Sequence, residues 1–486
     1  MKRTQLLKSL ALATTIAAPF ATSCSGETKQ PDVLFIFIDD MTFKGANIFG
    51  NPEIISPNID KLISSGVNFT NTYIPGAWNG AVSVASRTQL MTGRYVWNTY
   101  HNQEAYKSDP ESVNNTFPIL LKNAGYRTFF SGKWHDSCFK NEGIFDVKGT
   151  QRGGMPGTVP EAYNRPLSEA DTTWLSWDVN RGGFWKGGTH WSEVLVDEAV
   201  DYMRANKDSE EPLFMYCAFN AVHDPRQAPK EYLDMYNVHD ITVPESFLEE
   251  HPFCEEMGAG KGLRDEKLAP FPRTEYSIQA HLREYYALIT HTDAQIGRML
   301  EALEKSGRAD NTIIVFSADN GLSVGQHGLL GKQSMYDHSA KVPLAFIGPK
   351  IPKGESRDQL VYMQDLIPTI LEYAGAELPQ DMDFKSLAPA IKSAKASSGR
   401  DAIYASYELG SQRMVTDGEY KLYFIPRANH IYLFNLKDDP NEMVNLYGDP
   451  KYDEVVSKLA AEYLELAEEV GDIFDITEVY PEVFKK

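Results

Sequence analysis

The sequence is short of cysteine, of long hydrophobic runs and of positive charge, and each shortage excludes a class of protein. Only four cysteines occur among 486 residues, too few for a disulfide scaffold, and no pair has the close spacing of a zinc site. No apolar run reaches the ~20 residues of a membrane span. The 47 Lys and Arg residues against 67 Asp and Glu residues give a formal charge of −20. That charge argues against nucleic acid or an anionic membrane surface as the main partner and, taken alone, against a polyanionic substrate.

The chain does have enough apolar material for a packed interior. Hydrophobic residues make up 42% and aromatic residues 12% of the sequence, which excludes wholesale disorder. A single core stops growing at roughly 250–300 residues. A chain of 486 residues is therefore too long for one ordinary core.

The first residues have the layout of a secretory signal, because Lys2 and Arg3 precede an apolar run that ends near Phe20. Cleavage after small residues would release a soluble protein, whereas cleavage before Cys24 would leave a lipid-carrying N-terminus, as in bacterial lipoproteins. We predict a signal peptide at residues 1–23, and membrane contact only through a lipid anchor at Cys24. The predicted location is the periplasm, or the outer-membrane or cell surface of a Gram-negative bacterium. Cleavage removes three basic residues and no acid, so the charge would become −23.

Continuous runs of β-branched and aromatic residues predict strands that are buried on both faces. Three such runs occupy residues 33–38, 212–216 and 312–316. Alternation of these strands with helices predicts an α/β fold, in which a mixed, mostly parallel sheet is sandwiched by helices. The helical patterns span residues 56–66, 117–124, 192–206 and 285–306.

The sequence changes in character after about residue 375. Short strands separated by turn residues, followed by a helix at 452–469, predict a smaller antiparallel sheet with a C-terminal helix. We therefore predict a main domain at residues 30–375 and a C-terminal subdomain at residues 376–486.

Two of the predicted strands are followed directly by acids or their amides. Asp39 and Asp40 come after the first strand, and Asp319 and Asn320 come after the last. Ligands of open α/β sheets bind at the carboxyl ends of strands, and an all-oxygen cluster there suits a hard cation such as Ca²⁺ or Mg²⁺. The alternative is that these side chains merely cap the helices that follow.

The segment from Ser83 to Arg94 has the most specific pattern, Ser-Val-Ala-Ser-Arg-Thr-Gln-Leu-Met-Thr-Gly-Arg. A helix would place Ser83 and Arg87 on one face, and its N-terminus would favour an anion beside the serine. An ordinary amphipathic helix with an N-cap serine is the alternative. The segment closely resembles the signature of the type I sulfatases: Cys or Ser, any residue, Pro or Ala, Ser, Arg, and then Thr-Gly.

Further blocks that are similar to the same family follow in the family's order, and the resemblance extends from residue 31 to about residue 450. They include Gly132-Lys133-Trp134-His135, Ala221-Val222-His223-Asp224-Pro225, Asp319-Asn320-Gly321, Gly325-Gln326-His327-Gly328 and Gly331-Lys332.

The resemblance implies an alkaline-phosphatase-like fold, with the main domain as the catalytic domain. It also implies that Ser83 is oxidised after translation to formylglycine, whose hydrate is the nucleophile, and that Arg87 stabilises that hydrate. One Ca²⁺ would be bound per chain. The implied calcium ligands are Asp39, Asp40, Asp319 and Asn320.

The same resemblance assigns four further residues to the reaction. Lys133 and Lys332 would hold sulfate oxygens. His223 would be the general acid that protonates the leaving alcohol, and His135 would take a proton when sulfate is expelled.

Two departures from the commonest family pattern have consequences. A serine at position 83 implies maturation by an anaerobic sulfatase-maturing enzyme. Asp136 stands where small or apolar residues are frequent in the family, which predicts an altered substrate-facing loop.

The leading hypothesis is a carbohydrate O-sulfatase, an exo-acting sulfuric ester hydrolase for sulfated saccharides. One alternative is phosphoester or phosphonate hydrolysis on the same fold, which zinc in place of calcium would favour. The other is a non-catalytic surface lipoprotein that captures sulfated glycans through an unmodified Ser83. Because the acidic surface steers long polyanions poorly, we expect small sulfated oligosaccharides as the preferred substrates.

Overall fold

The computed structural model of the protein describes residues 29–484. The signal peptide predicted at residues 1–23 and the lipid anchor predicted at Cys24 lie outside the described residues. Cys138, Cys217 and Cys254 are free thiols in the described part of the chain.

The strands form two sheets. In chain order they are β1 (Asp32–Ile38), β2 (Val67–Tyr73), β3 (Gly76–Ala77), β4 (Arg127–Lys133), β5 (Val147–Arg152), β6 (Leu213–Ala218), β7 (Thr312–Ala318), β8 (Leu344–Ile347), β9 (Glu355–Tyr362), β10 (Ile403–Tyr407), β11 (Gln412–Thr416), β12 (Tyr420–Ile425) and β13 (His430–Asn435).

The helices alternate with the strands of the larger sheet. In residues 29–484, none of them has both the length and the apolar character that crossing a bilayer demands. They are α1 (Pro57–Ser64), α2 (Val82–Thr92), α3 (Val96–Ser108), α4 (Phe117–Asn123), α5 (Trp191–Ala205), α6 (Lys230–Leu233), α7 (Glu275–Lys305), α8 (Asp337–Ala340), α9 (Leu366–Ala374), α10 (Ala388–Lys392), α11 (Glu408–Ser411) and α12 (Asp453–Glu469).

The larger sheet has the strand order β5-β4-β6-β1-β7-β8-β2-β9. Only β8 runs antiparallel to its neighbours. All seven residues of β1 are buried although their side chains alternate between the two faces, so both faces of the sheet are covered. The mixed, mostly parallel α/β sheet predicted from the continuous apolar runs is confirmed.

The smaller sheet has the order β13-β12-β11-β10-β3. Strands β10 to β13 are antiparallel, as the sequence predicts, and α12 packs against β10, β11 and β12. The two-residue strand β3 adds a parallel edge immediately before α2. Gly76 permits this pairing, because its φ is +103° and a Cβ there would lie 1.8 Å from the carbonyl oxygen of Ser406.

The topology explains why distant sequence blocks meet. Strand β1 lies between β6 and β7, and β4 is the next strand beyond β6. These four strands are parallel, so their carboxyl ends share one edge of the sheet. The ends of these strands and the segments that follow them bring Asp39, Lys133, His223 and Asp319 to that edge.

Candidate active site

The four side chains predicted to bind calcium lie together at the carboxyl edge of the larger sheet. Asp39, Asp40, Asp319 and Asn320 are each at most 1% exposed. One oxygen from each of the three carboxylates lies within 4.8 Å of the others. The amide of Asn320 donates to Asp40 Oδ1 at 2.8 Å, and the Asp40 backbone N–H donates to Asp319 Oδ1 at 3.1 Å.

The pKa values of the three carboxyls show how burial and charge compete. Burial and the neighbouring Asp319 raise the pKa of Asp39 to about 7. Burial would also raise the pKa of Asp40, but His223 and Lys332 outweigh it and lower that pKa. For Asp319, Arg87 and Lys133 likewise outweigh burial and lower the pKa. An all-oxygen set of donors with this much buried acid fits a hard divalent cation such as Ca²⁺.

Ser83 belongs to this cluster and is not a helix cap. It is the second residue of α2, whose N-cap is Ala81. Its Oγ lies 3.1 Å from Asp39 Oδ1 and 3.2 Å from the side-chain oxygen of Asn320. The alternative of an ordinary helix with an N-cap serine is therefore wrong.

Arg87 lies one turn later in α2 and faces the same cluster. Its Nε donates to Asp319 Oδ2 at 2.9 Å and its Nη1 to the carbonyl oxygen of Lys133 at 3.1 Å. Burial would lower its pKa, but Asp319 outweighs burial and raises it, so the guanidinium stays charged. The buried Nη2 has no hydrogen-bond partner within residues 29–484. A buried donor without a partner among the described residues is available to an anion.

Two lysines complete the positive side of the site. Lys133, the last residue of β4, donates from Nζ to Asp39 Oδ2 at 2.6 Å. Lys332 donates to Asp40 Oδ1 at 2.7 Å and lies 3.4 Å from Ser83 Oγ. Both ammonium groups are almost fully buried. The structure thus brings three cationic side chains together with three carboxylates around one serine hydroxyl.

His223 follows β6 and connects the cluster to a second ion pair. Its Nε2 lies 3.5 Å from Asp40 Oδ2, and its Nδ1 lies 3.1 Å from Asp224 Oδ1. Burial would lower the pKa of His223, but Asp40 and Asp224 outweigh it and raise the pKa. The charged imidazole is favoured, as a group that must give up a proton requires.

His135 has the opposite environment. Burial and the nearby Lys133 lower its pKa to about 2, so the ring is neutral and can accept a proton. Its Nδ1 is buried with no partner among the described residues. Gly154 packs against the ring, since a Cβ on Gly154 would lie 2.6 Å from it. Two histidines with pKa values shifted apart are the arrangement expected of an acid and a base at one site.

A second group of possible metal ligands, Asp40, His223 and Asp224, shares one residue with the first. The carboxylate of Asp224 is already paired with both terminal nitrogens of Arg264 and with Nδ1 of His223. A second cation would have to displace these partners. The group does not fit a two-metal phosphatase site.

Sequence reasoning missed the residues behind His223 and Lys332. Asp224 was part of a recognised block but received no role. Arg264 and Glu266 stand in a segment without a recognisable motif. Asp136, predicted to alter a substrate-facing loop, accepts the backbone N–H groups of Cys138 and Phe139, both at 2.7 Å, and closes a tight turn.

Two models of known protein families match the sequence. The family model described as Sulfatase matches residues 31–376. A second model, described as N-sulphoglucosamine sulphohydrolase, C-terminal, matches residues 325–469.

Individual relatives agree over nearly the whole length. The chain is 26% identical to an N-acetylglucosamine-6-O-sulfatase of Bacteroides thetaiotaomicron over 93% of this chain and 89% of that protein. A solved structure in complex with its substrate D-glucosamine-2-N,6-O-disulfate has a TM-score of 0.71 at 24% identity, covering 92% of this chain and 99% of the other. A phosphonate monoester hydrolase from Silicibacter pomeroyi has a TM-score of 0.73 at 21% identity, covering 92% and 96%. At these identities the two structures show the fold alone.

Proposed function

The chain belongs to the sulfatase family, and from that premise we propose that it hydrolyses sulfate esters of carbohydrates with Ser83 converted to formylglycine and Ca²⁺ bound beside it. Family membership makes the protein a sulfuric ester hydrolase. The observation that carries the finer proposal is the position of Ser83 Oγ, within 3.4 Å of Asp39, Asn320 and Lys332. The similarity to an N-acetylglucosamine-6-O-sulfatase supports a sulfated sugar as the substrate.

The oxygen atoms of the carboxylate cluster fit the cation, and Ser83 is the residue to be oxidised. When present, the cation would polarise the sulfate group and the aldehyde hydrate would supply the attacking oxygen. The residues that would hold the cation are Asp39, Asp40, Asp319 and Asn320.

The cationic side chains act on the charge of the departing group. Sulfuryl transfer spreads negative charge over the SO₃ unit, so fixed cations stabilise the transition state more than the substrate. Lys133 and Lys332 are held by the carboxylates of Asp39 and Asp40, and the Nη2 group of Arg87 has no partner among the described residues. Their burial keeps water away, which strengthens each of these interactions.

The two histidines divide the proton transfers. A sugar alkoxide is a poor leaving group, so it needs a proton as the bond breaks. His223 is the donor, because Asp40 and Asp224 favour its charged form and Asp224 orients the ring. His135 is the acceptor, because burial and Lys133 keep it neutral.

The decisive experiment uses protein produced together with an anaerobic sulfatase-maturing enzyme. Mass spectrometry of the peptide with Ser83 should show the loss of two hydrogen atoms, and the matured protein should release sulfate from at least one sulfated mono- or disaccharide. Ser83→Ala, which cannot be matured, is the matched control and should release none. A fully matured preparation that released no sulfate from any sulfated sugar would contradict the proposal.

Phosphonate or phosphoester hydrolysis remains a second candidate, because a phosphonate monoester hydrolase shares the fold. The same panel should therefore include a phenyl phosphonate ester and a phosphate monoester. We expect sulfate esters to have the highest kcat/KM and zinc to replace calcium poorly. The reverse order of kcat/KM would establish the second candidate.

Export and exo-action are parts of the proposal that need their own measurements. Fractionation of cells should place the protein in the envelope, and Cys24→Ser should move it from the membrane to the soluble periplasmic fraction. For exo-action, sulfate should be released from the terminal unit of a sulfated oligosaccharide before any internal unit.

A further inference from the structure

Three consecutive charged residues outside every recognised motif hold the segments that carry His223, Lys332 and Ser83. Arg264 precedes a short 3-10 helix that begins with Asp265 and Glu266, and both acids are at most 5% exposed. We propose that the segment Arg264–Glu266 is the positioning element that fixes His223, Lys332 and Ser83 relative to one another. The inference rests on the proposed function of those three residues.

Arg264 fixes the position of the segment that carries His223. Its two terminal nitrogens donate to the two carboxylate oxygens of Asp224, a forked pairing that fixes a carboxylate in orientation as well as position. Nδ1 of His223 in turn lies 3.1 Å from the Asp224 carboxylate and 2.9 Å from the backbone carbonyl oxygen of Asp224, its hydrogen-bond partner. The imidazole is therefore aimed, with Nε2 toward the carboxylate cluster, by a chain of contacts that ends at Arg264.

Asp265 connects the segment before α2 to the loop that carries Lys332. Its Oδ2 accepts from Gln333 Nε2 at 2.8 Å, and the same amide nitrogen donates to the carbonyl oxygen of Gly80 at 2.8 Å. The amide oxygen of Gln333 accepts the backbone N–H of Lys332 at 2.9 Å. Gly80 is three residues before Ser83, so a single amide side chain, anchored by Asp265, connects both segments.

Glu266 holds the loop that leads into Lys332. Its carboxylate accepts the backbone N–H groups of Leu330 and Gly331 at 3.0 Å and 2.9 Å. Arg273 donates to the other carboxylate oxygen at 2.5 Å and to the carbonyl oxygen of Glu266 at 2.8 Å. Glu266 and Arg273 are each 1% exposed, so this is a buried anchor in which the charges are paired and hydrogen-bonded.

The segment Arg264–Glu266 packs closely against the loop that leads into Lys332. A Cβ on Gly331 would lie 2.2 Å from Gln333 Oε1, 3.0 Å from Asp265 Cβ and 3.1 Å from Glu266 Oε1. The segment therefore packs so closely against the loop that only glycine fits at position 331. Misplacing a reacting group by about 1 Å can cost on the order of 100-fold in rate.

Arg264 and Glu266 contact different segments of the site, so their substitutions should have different kinetic effects. Loss of Arg264 should affect the proton transfer that His223 performs. Loss of Glu266 should affect the binding of the sulfate group through Lys332. A purely structural role would instead lower the amount of folded protein and reduce all rates alike.

The first measurement compares a sugar sulfate, whose leaving alcohol needs a proton, with 4-nitrophenyl sulfate, whose leaving group does not. For matured Arg264→Gln we expect kcat/KM to fall about 100-fold for the sugar sulfate, the typical contribution of a general acid, and only slightly for the aryl ester. Arg264→Lys should recover part of the loss, since it keeps the charge without the fork.

The second measurement uses Glu266→Gln, which keeps the shape but places an NH₂ group either against the two backbone donors or against the Arg273 guanidinium. We expect KM to rise about tenfold for both esters because Lys332 shifts. The ratio of kcat/KM between the two esters should stay unchanged, unlike that of Arg264→Gln.

Arg308→Gln is the control, because Arg308 forms a forked pair with Asp32 at the other end of β1, at 2.6 Å and 2.7 Å, and its side chain is more deeply buried than that of Arg264. It should lower the melting temperature without changing the ratio between the two esters. Equal losses for both esters in Arg264→Gln, or an unchanged KM in Glu266→Gln, would overturn the inference.

Crystal structures of the same variants decide the matter independently of turnover. We expect the His223 ring to be reoriented in Arg264→Gln and the Lys332 loop to be displaced in Glu266→Gln, with both unchanged in Arg308→Gln. If wild-type matured protein hydrolysed no sulfate ester, the proposed function would fail, and these structures would still test the positioning. Unmoved His223 and Lys332 would refute it.

Discussion

At the scale of single residues, the carboxylate cluster dominates the electrostatics of the site. Asp39, Asp40 and Asp319 lie within 4.8 Å of one another in a buried site, and burial by itself would raise the pKa of all three. Lys133, Lys332 and Arg87 offset this cost in the protein as described. A divalent cation would offset it further and would link metal binding to stability.

We therefore expect Ca²⁺ to stabilise the folded protein even without catalysis. Ser83→Ala protein treated with a chelator should melt at a lower temperature than the same protein with Ca²⁺ restored, because a ligand at 100 times its Kd contributes about 2.7 kcal/mol. Thermal unfolding at a series of Ca²⁺ concentrations measures this directly. Asp319→Asn should abolish the Ca²⁺-dependent shift, and a larger shift with Zn²⁺ than with Ca²⁺ would contradict the assignment.

Asp136 supplies a pH-dependent contribution to stability outside the cation cluster. Burial raises the pKa of Asp136 to about 6 from its ordinary value of 3.8, although two backbone N–H groups oppose the shift. Its Oδ2 has no partner among residues 29–484, which suits a protonated acid. A raised folded-state pKa means that this contribution is complete below about pH 4 and is lost as the pH rises through about 6.

Asp136→Asn should remove that dependence while keeping the acceptor for the turn. From pH 4 to pH 7, wild type should lose about 2 kcal/mol of unfolding free energy relative to the variant, because one pKa unit corresponds to about 1.4 kcal/mol and the unfolded carboxyl is already partly ionised at pH 4. Urea unfolding at the two pH values measures the difference. Equal changes in unfolding free energy for wild type and Asp136→Asn between the two pH values would refute the assignment.

The residues of the candidate site could be predicted from the sequence, whereas the residues that hold them in place could not. Ser83 and Arg87 stand in one short pattern, so spacing alone puts them on one helix face. The contact between Arg264 and Asp224 joins residues 40 positions apart through the fold, and no local pattern encodes it. A contact of this kind becomes visible only in the folded chain.

At the scale of elements, Gly132 shows how an irregularity in a strand positions the side chain of Lys133. The pairing of β4 with β5 shifts register between Phe130 and Gly132, directly before Lys133. Gly132 has a φ of +105°, and a Cβ there would lie 1.9 Å from the carbonyl oxygen of Ala218. The irregularity turns Lys133 toward the cluster, as bulges beside active sites commonly do.

Gly132→Ala should therefore lower both stability and activity. We expect a loss of about 3 kcal/mol or more in unfolding free energy, because backbone strain and a collision with β6 add together, and sulfate release should fall sharply as Lys133 moves. Gly125→Ala is the control: its φ is +91° but nothing lies within 4 Å of the added Cβ, so about 1–2 kcal/mol is expected with normal kcat/KM. Equal effects of the two variants would show that the close approach to Ala218 is unimportant.

The same comparison of sequence and structure applies to whole elements. Strands β1, β6 and β7 were predictable because burial on both faces leaves a continuous apolar run. Strand β3 was not, since its two residues carry no pattern and it exists only because Gly76 can approach Ser406. The order of strands depends on crossovers between distant segments, which periodicity does not report.

At the scale of the whole molecule, the acidic surface and the cationic site act over different distances. The formal charge of −20 belongs to the entire sequence, whereas the three cationic side chains of the site are balanced by three buried carboxylates at distances of 2.6 to 2.9 Å. A bound Ca²⁺ would leave the site net positive by two charges. At moderate salt the Debye length is ~10 Å, so distant surface acids scarcely oppose a small anion once it has entered.

A long sulfated polymer encounters the acidic protein surface before one of its sulfate groups reaches the site. At low ionic strength the screening length grows to ~30 Å, and the acidic surface repels a chain of many sulfates more than a short fragment. We expect kcat/KM per sulfate group to be higher for di- to hexasaccharides than for the parent polymer at low salt, and the ratio to fall toward one as NaCl is added. Stopped assays of sulfate release across a salt series, with 4-nitrophenyl sulfate as the singly charged reference, measure this. Faster turnover of the long chains at low salt would mean that a local basic surface, and not the overall charge, guides the substrate.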